Sequence, residues 1–314
     1  LESVGQNLGE TMGNIISKSC ALVADLKPDA LLLLGDTNSA LSAISAKRLK
    51  IPIFHMEAGN RCWDWNVSEM INRKIVDHIS DINMPYTEHS RRYLISEGID
   101  GKTIFVTGSP MREVLRDHMD DILKSDVLES LGLKKRQYIL VSAHREENID
   151  IEDNFMDLMN AINHIAETYN MPVIYSTHPR SKKFIEMRDF KFHPLVQSMK
   201  PFGFLDYNML QMNAYCVLSD SGTLSEESAM LGFPGVLLRT STERPEVLDK
   251  GSVVIGGIRG EDVERATRLA VSMYDNNEEV VLSPDYNDTN VSVKVVKLIQ
   301  SYTDIVNRTV WLKR

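Results

Sequence analysis

Apolar runs that do not alternate recur along this chain. They are "DALLLLGD" (29–36), "IPIF" (51–54), "TIFVTG" (103–108), "QYILVSA" (137–143), "PVIYST" (172–177), "AYCVLSD" (214–220), "PGVLLR" (234–239) and "SVVIGG" (252–257). A strand with one wet face alternates apolar and polar residues. An unbroken run needs apolar cover on both faces, which a parallel sheet between helices supplies. The stretches 8–25, 38–49, 68–80, 153–169 and 224–231 carry helical periodicity between them. This alternation predicts an α/β fold of the doubly wound kind. About four strands precede residue 113 and four or more follow residue 136, separated by the charged helical stretch "REVLRDHMDDILKSDVLESLGLKKRQ". A length of 314 residues suits about two domains, with the boundary near residue 113.

Charge excludes some partners. The net charge is -9 and the pI about 5.4, with no basic block, so the chain is a poor nucleic-acid binder by bulk electrostatics. No apolar run is long enough to span a bilayer, and no signal peptide opens the chain. Cys20, Cys62 and Cys216 form no C-x-x-C pair and read as reduced thiols. The expectation is a cytoplasmic protein without membrane or nucleic-acid partners.

Polar residues gather where the strands end, the edge at which open α/β sheets bind ligands. Gly35-Asp36-Thr37 follows "LLLL", and His55 and Glu57 follow "IPIF". His144-Arg145-Glu146-Glu147-Asn148 follows "YILVSA", and His178-Pro179-Arg180 follows "PVIYST". Asp220-Ser221-Gly222-Thr223 follows "AYCVLS", and Thr242-Glu243-Arg244-Pro245 lies beyond "PGVLLR". One such Asp is an ordinary helix cap; a whole set of polar strand ends points to a crevice between two domains. Ser221, Gly222 and the following N–H groups could hold a phosphate at a helix N-terminus. Glu226 or Glu227 could accept ribose hydroxyls, or only favour the helix dipole. Fingerprints for nicotinamide dinucleotides, for Walker-type phosphate binding, for a nucleophile elbow and for zinc are all missing, so neither cofactor nor metal is expected.

In order, these motifs resemble those of the non-hydrolysing UDP-N-acetylglucosamine 2-epimerase family. They are Gly35-Asp36-Thr37, "HMEAGNR" (55–61), "SEMINR" (68–73), "HREEN" (144–148), "SDSG" (219–222) and "TERPE" (242–246), and the likeness covers nearly the whole chain. The wording "EAGNRC", "INRKIVDHISD" and "SAHREENID" looks most like the capsule and O-antigen subgroup. Those enzymes convert UDP-2-acetamido-2,6-dideoxy-L-talose to UDP-N-acetyl-L-fucosamine. Departures exist: Ser68-Glu69-Met70 stands where the family has "PEE", and "HREEN" where it has "HRREN". Nothing matches the family's opening G-T-R-P-E loop, which implies one or more strands absent ahead of Leu1, with Leu1 itself in a helix.

The resemblance implies two Rossmann-like domains facing a cleft, a glycosyltransferase-B-like fold. Residues 1–113 form the first, joined by a C-terminal helix 297–314, and residues 114–296 form a UDP-binding second. It further implies C2 epimerisation by elimination of UDP to a 2-acetamido-glycal and re-addition. Asp36, Glu57 and Glu69 resemble the family's acid–base carboxylates, and His144 its histidine near the diphosphate. Ser221, Gly222 and Glu227 resemble its UDP contacts; Arg61, Arg244 and His178 are further candidates. A UDP-sugar substrate and a homodimer are expected. UDP-N-acetylglucosamine as substrate, a glycosyltransferase of the same fold, and a non-catalytic nucleotide-sugar binder are the alternatives.

Overall fold

A computed structural model describes residues 3–65, 67, 69–278 and 281–313. The expectations attached to Ser68 and Leu1 therefore lie outside the described residues. The chain divides into two compact units, Leu1–Glu113 with Asn287–Arg314, and Val114–Tyr286.

The first unit holds a parallel sheet of three strands, β1 (Leu31–Leu34), β2 (Ile53–Met56) and β3 (Ile82–Met84), in the order β1-β2-β3. Ile53 and Phe54 are wholly buried, as an unbroken apolar run requires. Helices Leu8–Leu26, Ser42–Arg48, Glu69–Ile79 and Glu88–Ser96 alternate with or flank these strands. Two expectations change here. "TIFVTG" is not a strand: it makes one parallel bridge, Ile104 with Asn83, and follows β3 through the Phe105 N–H on the Asn83 carbonyl. β3 was hidden because three residues inside "SDINMP" are too short for a periodicity to register. The C-terminal helix that rejoins this unit is Val291–Thr309, so it starts before residue 297. Its Val291, Val295 and Val306 pack on Phe54, Ile82 and Met84.

The second unit is a sheet of six parallel strands: β4 (Ile139–Ser142), β5 (Val173–Ser176), β6 (Val196–Met199), β7 (Cys216–Ser219), β8 (Gly235–Leu237) and β9 (Val254–Ile255). Their order is β6-β5-β4-β7-β8-β9. The chain runs outward from β4 on one side, then returns to start again with β7 on the other. The crevice at such a reversal is where doubly wound sheets take ligands. β6 went unseen in the sequence because it is a half-exposed edge strand, "VQSM". Helix Glu152–Tyr169 shows why helices cover the sheet. Phe155, Leu158, Met159, Ile162 and Ile165 recur on one face and are all buried. Each such side chain contributes roughly 1.5–3 kcal/mol of transfer free energy. Asn170 ends the helix in the left-handed region, φ 46°.

Candidate active site

In the first unit the carboxyl ends of β1 and β2 lie side by side. The Gly35 N–H donates to the Met56 carbonyl at 3.1 Å. Gly35 has φ +73°, and a Cβ there would sit 3.2 Å from Oε2 of Glu57. Glycine thus lets the Glu57 carboxylate lie against the turn that carries Asp36. Glu57 itself has φ 64°, a left-handed conformation that costs a non-glycine residue about 1–2 kcal/mol. Strain of this kind collects at functional positions. Asn60 Nδ2 donates to Glu57 Oε1 at 3.3 Å.

Helix Glu69–Ile79 closes over this corner. Arg73 donates from Nε to an Asp36 carboxylate oxygen, and Asn72 Nδ2 donates to the Asp36 carbonyl at 2.9 Å. Glu69 opens the same helix, half-buried. Met70, in place of the second family acid, is buried with its sulfur 3.8 Å from Arg73 Nη1. The structure thus brings Asp36 and Glu57 together through the two strand ends, and sets Glu69 on the helix whose Arg73 holds Asp36.

Arg61 requires a correction. It was expected to contact an anionic ligand, but its side chain has no exposure. Nη1 lies 2.8 Å from Asp77, and Nε and Nη2 fork onto Glu97 at 2.9 and 2.6 Å. A guanidinium so enclosed by two carboxylates belongs to the framework. The Arg61 bond holds the Glu97 carboxyl far below its ordinary value of 4.5, at about 2, against the opposing pull of burial, with Lys74 helping. Asp77 also accepts the Gly59 N–H and faces His55. Gly59 has φ +80°, and a Cβ there would strike the Ser90 carbonyl at 2.5 Å.

In the second unit β4 and β7 meet at the reversal point. Asp220, with no exposed side-chain surface, is the hub. Its Oδ2 accepts the backbone N–H groups of His144 and Arg145, each at 2.9 Å, and Asn148 Nδ2 at 3.1 Å. Arg145 reaches the Asp220 carbonyl at 2.9 Å and Glu243 at 3.0 Å. Arg239 reaches the other Glu243 oxygen at 2.6 Å. A Cβ on Gly222 would meet Glu243 Oε1 at 2.9 Å, so a side chain at this loop position would displace the Glu243 carboxylate.

Above that network the accessible groups differ. The His144 and His178 rings stand 5.2 Å apart, with His178 exposed and His144 partly so. Burial, then the neighbouring His144 and Arg180, lower the pKa of His178. Ser221 shares a 2.9 Å contact with the Thr223 hydroxyl ahead of helix Leu224–Leu231. On that helix Glu227 accepts from Gln211 Nε2 at 2.6 Å, and burial pushes its carboxyl up. Arg244, another expected anion contact, is buried with Nη2 2.8 Å from Glu226; it braces the helix. Among the described residues no group of side chains is arranged to hold a metal ion, and no helix is long and apolar enough to cross a membrane.

The reading of the sequence missed Arg73, Asp77, Glu97 and Glu243 as site-builders. Arg73 and Glu243 lie inside quoted motifs. Asp77 lies inside the quoted "INRKIVDHISD" and Glu97 outside every motif, and neither carries a local signal, because each acts on a loop distant in sequence.

Comparison with known proteins accords with this geometry. The sequence profile described as UDP-N-acetylglucosamine 2-epimerase matches residues 1–300. A UDP-N-acetylglucosamine 2-epimerase of Methanocaldococcus jannaschii is 32% identical over 274 residues, covering 84% of this chain and 74% of that protein. The structure of UDP-N-acetylglucosamine 2-epimerase from Rickettsia bellii superposes with a TM-score of 0.92 at 46% identity, over 100% of this chain and 84% of that one. The Methanocaldococcus jannaschii enzyme, solved in complex with UDP-GlcNAc and UDP, gives 0.88 at 29% identity, over 96% and 83%. This chain, with its parallel sheets and glycosyltransferase-B-like α/β fold, belongs to the UDP-N-acetylglucosamine 2-epimerase family of isomerases.

Proposed function

We propose that this protein inverts C2 of a UDP-N-acetylhexosamine by elimination and re-addition. The observation that carries the reading is the juxtaposition of Asp36 and Glu57 at adjacent strand ends, with Glu69 on the helix that holds Asp36. A base takes the C2 proton while the C1–oxygen bond breaks and UDP departs. The 2-acetamido-glycal is then protonated at C2 from the opposite face, and a diphosphate oxygen re-forms the bond to C1. Proton transfer on two faces needs two positioned groups. The departing diphosphate needs N–H donors and cationic groups, for which His144, His178, Ser221 and the Gly222 loop are the candidates. Glu227 is assigned to the ribose, and Arg244 steadies its helix. No cofactor enters the scheme.

Turnover in D₂O tests it. Deuterium should enter C2 with each completed inversion, and traces of free UDP should accumulate. Product free of deuterium after full turnover would exclude the elimination route.

For the substrate, the wording of "EAGNRC" and "INRKIVDHISD" supports UDP-2-acetamido-2,6-dideoxy-L-talose, yielding UDP-N-acetyl-L-fucosamine. The names of the relatives support a second reading, UDP-GlcNAc to UDP-ManNAc. NMR of the reaction with each UDP-sugar alone separates them. It also separates both from a glycosyltransferase, which would need an acceptor, and from a binder, which would turn over neither. The same reading extends to a cytoplasmic homodimer that serves capsule or O-antigen synthesis. Sedimentation and fractionation of the native host are its tests.

A further inference from the structure

His55 sits at the centre of the first sheet. Its strand pairs on both sides, Leu33 with His55 and His55 with Asn83, and its side chain is wholly buried. Nε2 lies 2.9 Å from the Gly35 carbonyl oxygen. Nδ1 lies 2.9 Å from Asp77 Oδ1. Both partners are acceptors. A backbone carbonyl carries no proton, and the Asp77 oxygens already accept from the Gly59 N–H and face Arg61 Nη1. A neutral imidazole has one N–H and one lone pair. A ring bare at Nε2 would set its lone pair against the Gly35 carbonyl, and one bare at Nδ1 would leave that buried nitrogen without a hydrogen bond beside the Asp77 carboxylate. The doubly protonated ring donates to the carbonyl and answers the carboxylate by its charge.

The surroundings favour that cation. Asp36 follows β1; Glu57 and Arg61 follow β2; Arg73, Lys74, Asp77 and His78 lie on helix Glu69–Ile79; Glu97 follows helix Glu88–Ser96; and β3 contributes the uncharged Asn83. Lys74 and His78 both reach Glu97. Burial would lower the ring's pKa. The bond to Asp77, its charge, the Gly35 carbonyl and Asp36 together outweigh burial and hold it above the ordinary value.

We propose that His55 is an imidazolium at neutral pH and the positioning residue of the acid–base pair. The Nε2–H ties the Gly35-Asp36 turn to β2, and the ring's charge, 2.9 Å from Asp77, ties helix Glu69–Ile79 to the strand that leads into Glu57. The helix bears Arg73, so both holds on Asp36 pass through one buried ring. The consequence for turnover rests on the epimerase reading; the charge state does not.

The first test is nitrogen NMR of the full chain with ¹⁵N-labelled histidine. Both His55 ring nitrogens should remain protonated from about pH 6 to pH 8 while exposed histidines titrate. A bare ring nitrogen on His55 at neutral pH overturns the proposal. The second test is His55→Gln, which keeps one amide donor and presents an acceptor to the other partner. Its kcat should fall about 10–100-fold with KM changed far less, the signature of lost alignment. An unchanged kcat in a folded H55Q protein overturns the positioning role. If H55Q does not fold, the native nitrogen spectrum decides alone. If the native chain turns over neither UDP-sugar, the epimerase reading fails while the spectrum still reports on His55.

Discussion

The two units both bury paired charges beneath their strand ends and present different groups above them. In the first, His55 and Arg61 are sealed among Asp77 and Glu97, and the carboxylates of Asp36 and Glu57 are partly open. In the second, Asp220 and Glu243 are buried, Glu243 between Arg239 and Arg145, while the imidazoles of His144 and His178 and the hydroxyls of Ser221 and Thr223 are accessible. Both surfaces grow from parallel sheets of the same kind. The difference teaches that both buried layers are internally paired, so what each unit presents depends on the side chains its loops carry above those pairs. In the first unit the buried pairs brace the strand end and helix that carry the carboxylates; in the second, Asp220 organises the N–H groups of His144 and Arg145. On the proposed function, the first layering suits proton transfer and the second suits an anionic leaving group.

The largest expected effect lies in the first unit. Asp36→Asn and Glu57→Gln should each lower turnover by about 10²–10⁴-fold and leave UDP affinity unchanged by calorimetry. A near-native rate in either variant would remove that residue from the acid–base set.

The second unit should instead lose stability. Asp220→Ala strips an acceptor from the His144 and Arg145 N–H groups and from Asn148. A loss of about 3 kcal/mol is expected, as for a broken buried polar network. Denaturant unfolding measures it. An effect below about 1 kcal/mol, the worth of one exposed hydrogen bond, would show that Asp220 organises nothing.

Smaller again is Gly222→Ala. The new methyl group would press on Glu243 at 2.9 Å. Displacing that loop should weaken UDP binding about tenfold, roughly 1.4 kcal/mol, without altering the pH dependence of turnover. Unchanged UDP affinity would detach this loop from the phosphate role.

The mildest prediction is a pH effect. The Glu97 carboxyl is lowered from 4.5 to about 2, chiefly by Arg61. A depressed acid contributes stability above its unfolded value, and that contribution disappears as pH falls through the folded value. The first unit should therefore lose stability between about pH 4.5 and pH 2, and Glu97→Gln should flatten that slope. A variant with the native acid slope would assign it to other carboxylates.

The sequence by itself determined the class of fold and where polar side chains would gather at the strand ends. Unbroken apolar runs such as "YILVSA" admit little besides a doubly covered parallel sheet, and that burial pattern is local. Asp36, Glu57, His144 and Ser221 were visible for the same reason, as polar residues directly after such runs. The short β3, the edge strand β6 and the partners of the buried charges were not legible. Arg61 read as a ligand contact because its charge is written in the chain, whereas Glu97, which encloses it, lies far along the sequence on another helix. Asp220 read only as one more polar strand end, because its claim on the His144 and Arg145 amides exists only once β4 and β7 lie side by side. A sequence states the sign of each charge. Packing sets the distance between charges, and within a few ångströms of buried space that distance separates a group that meets a substrate from one that holds the frame.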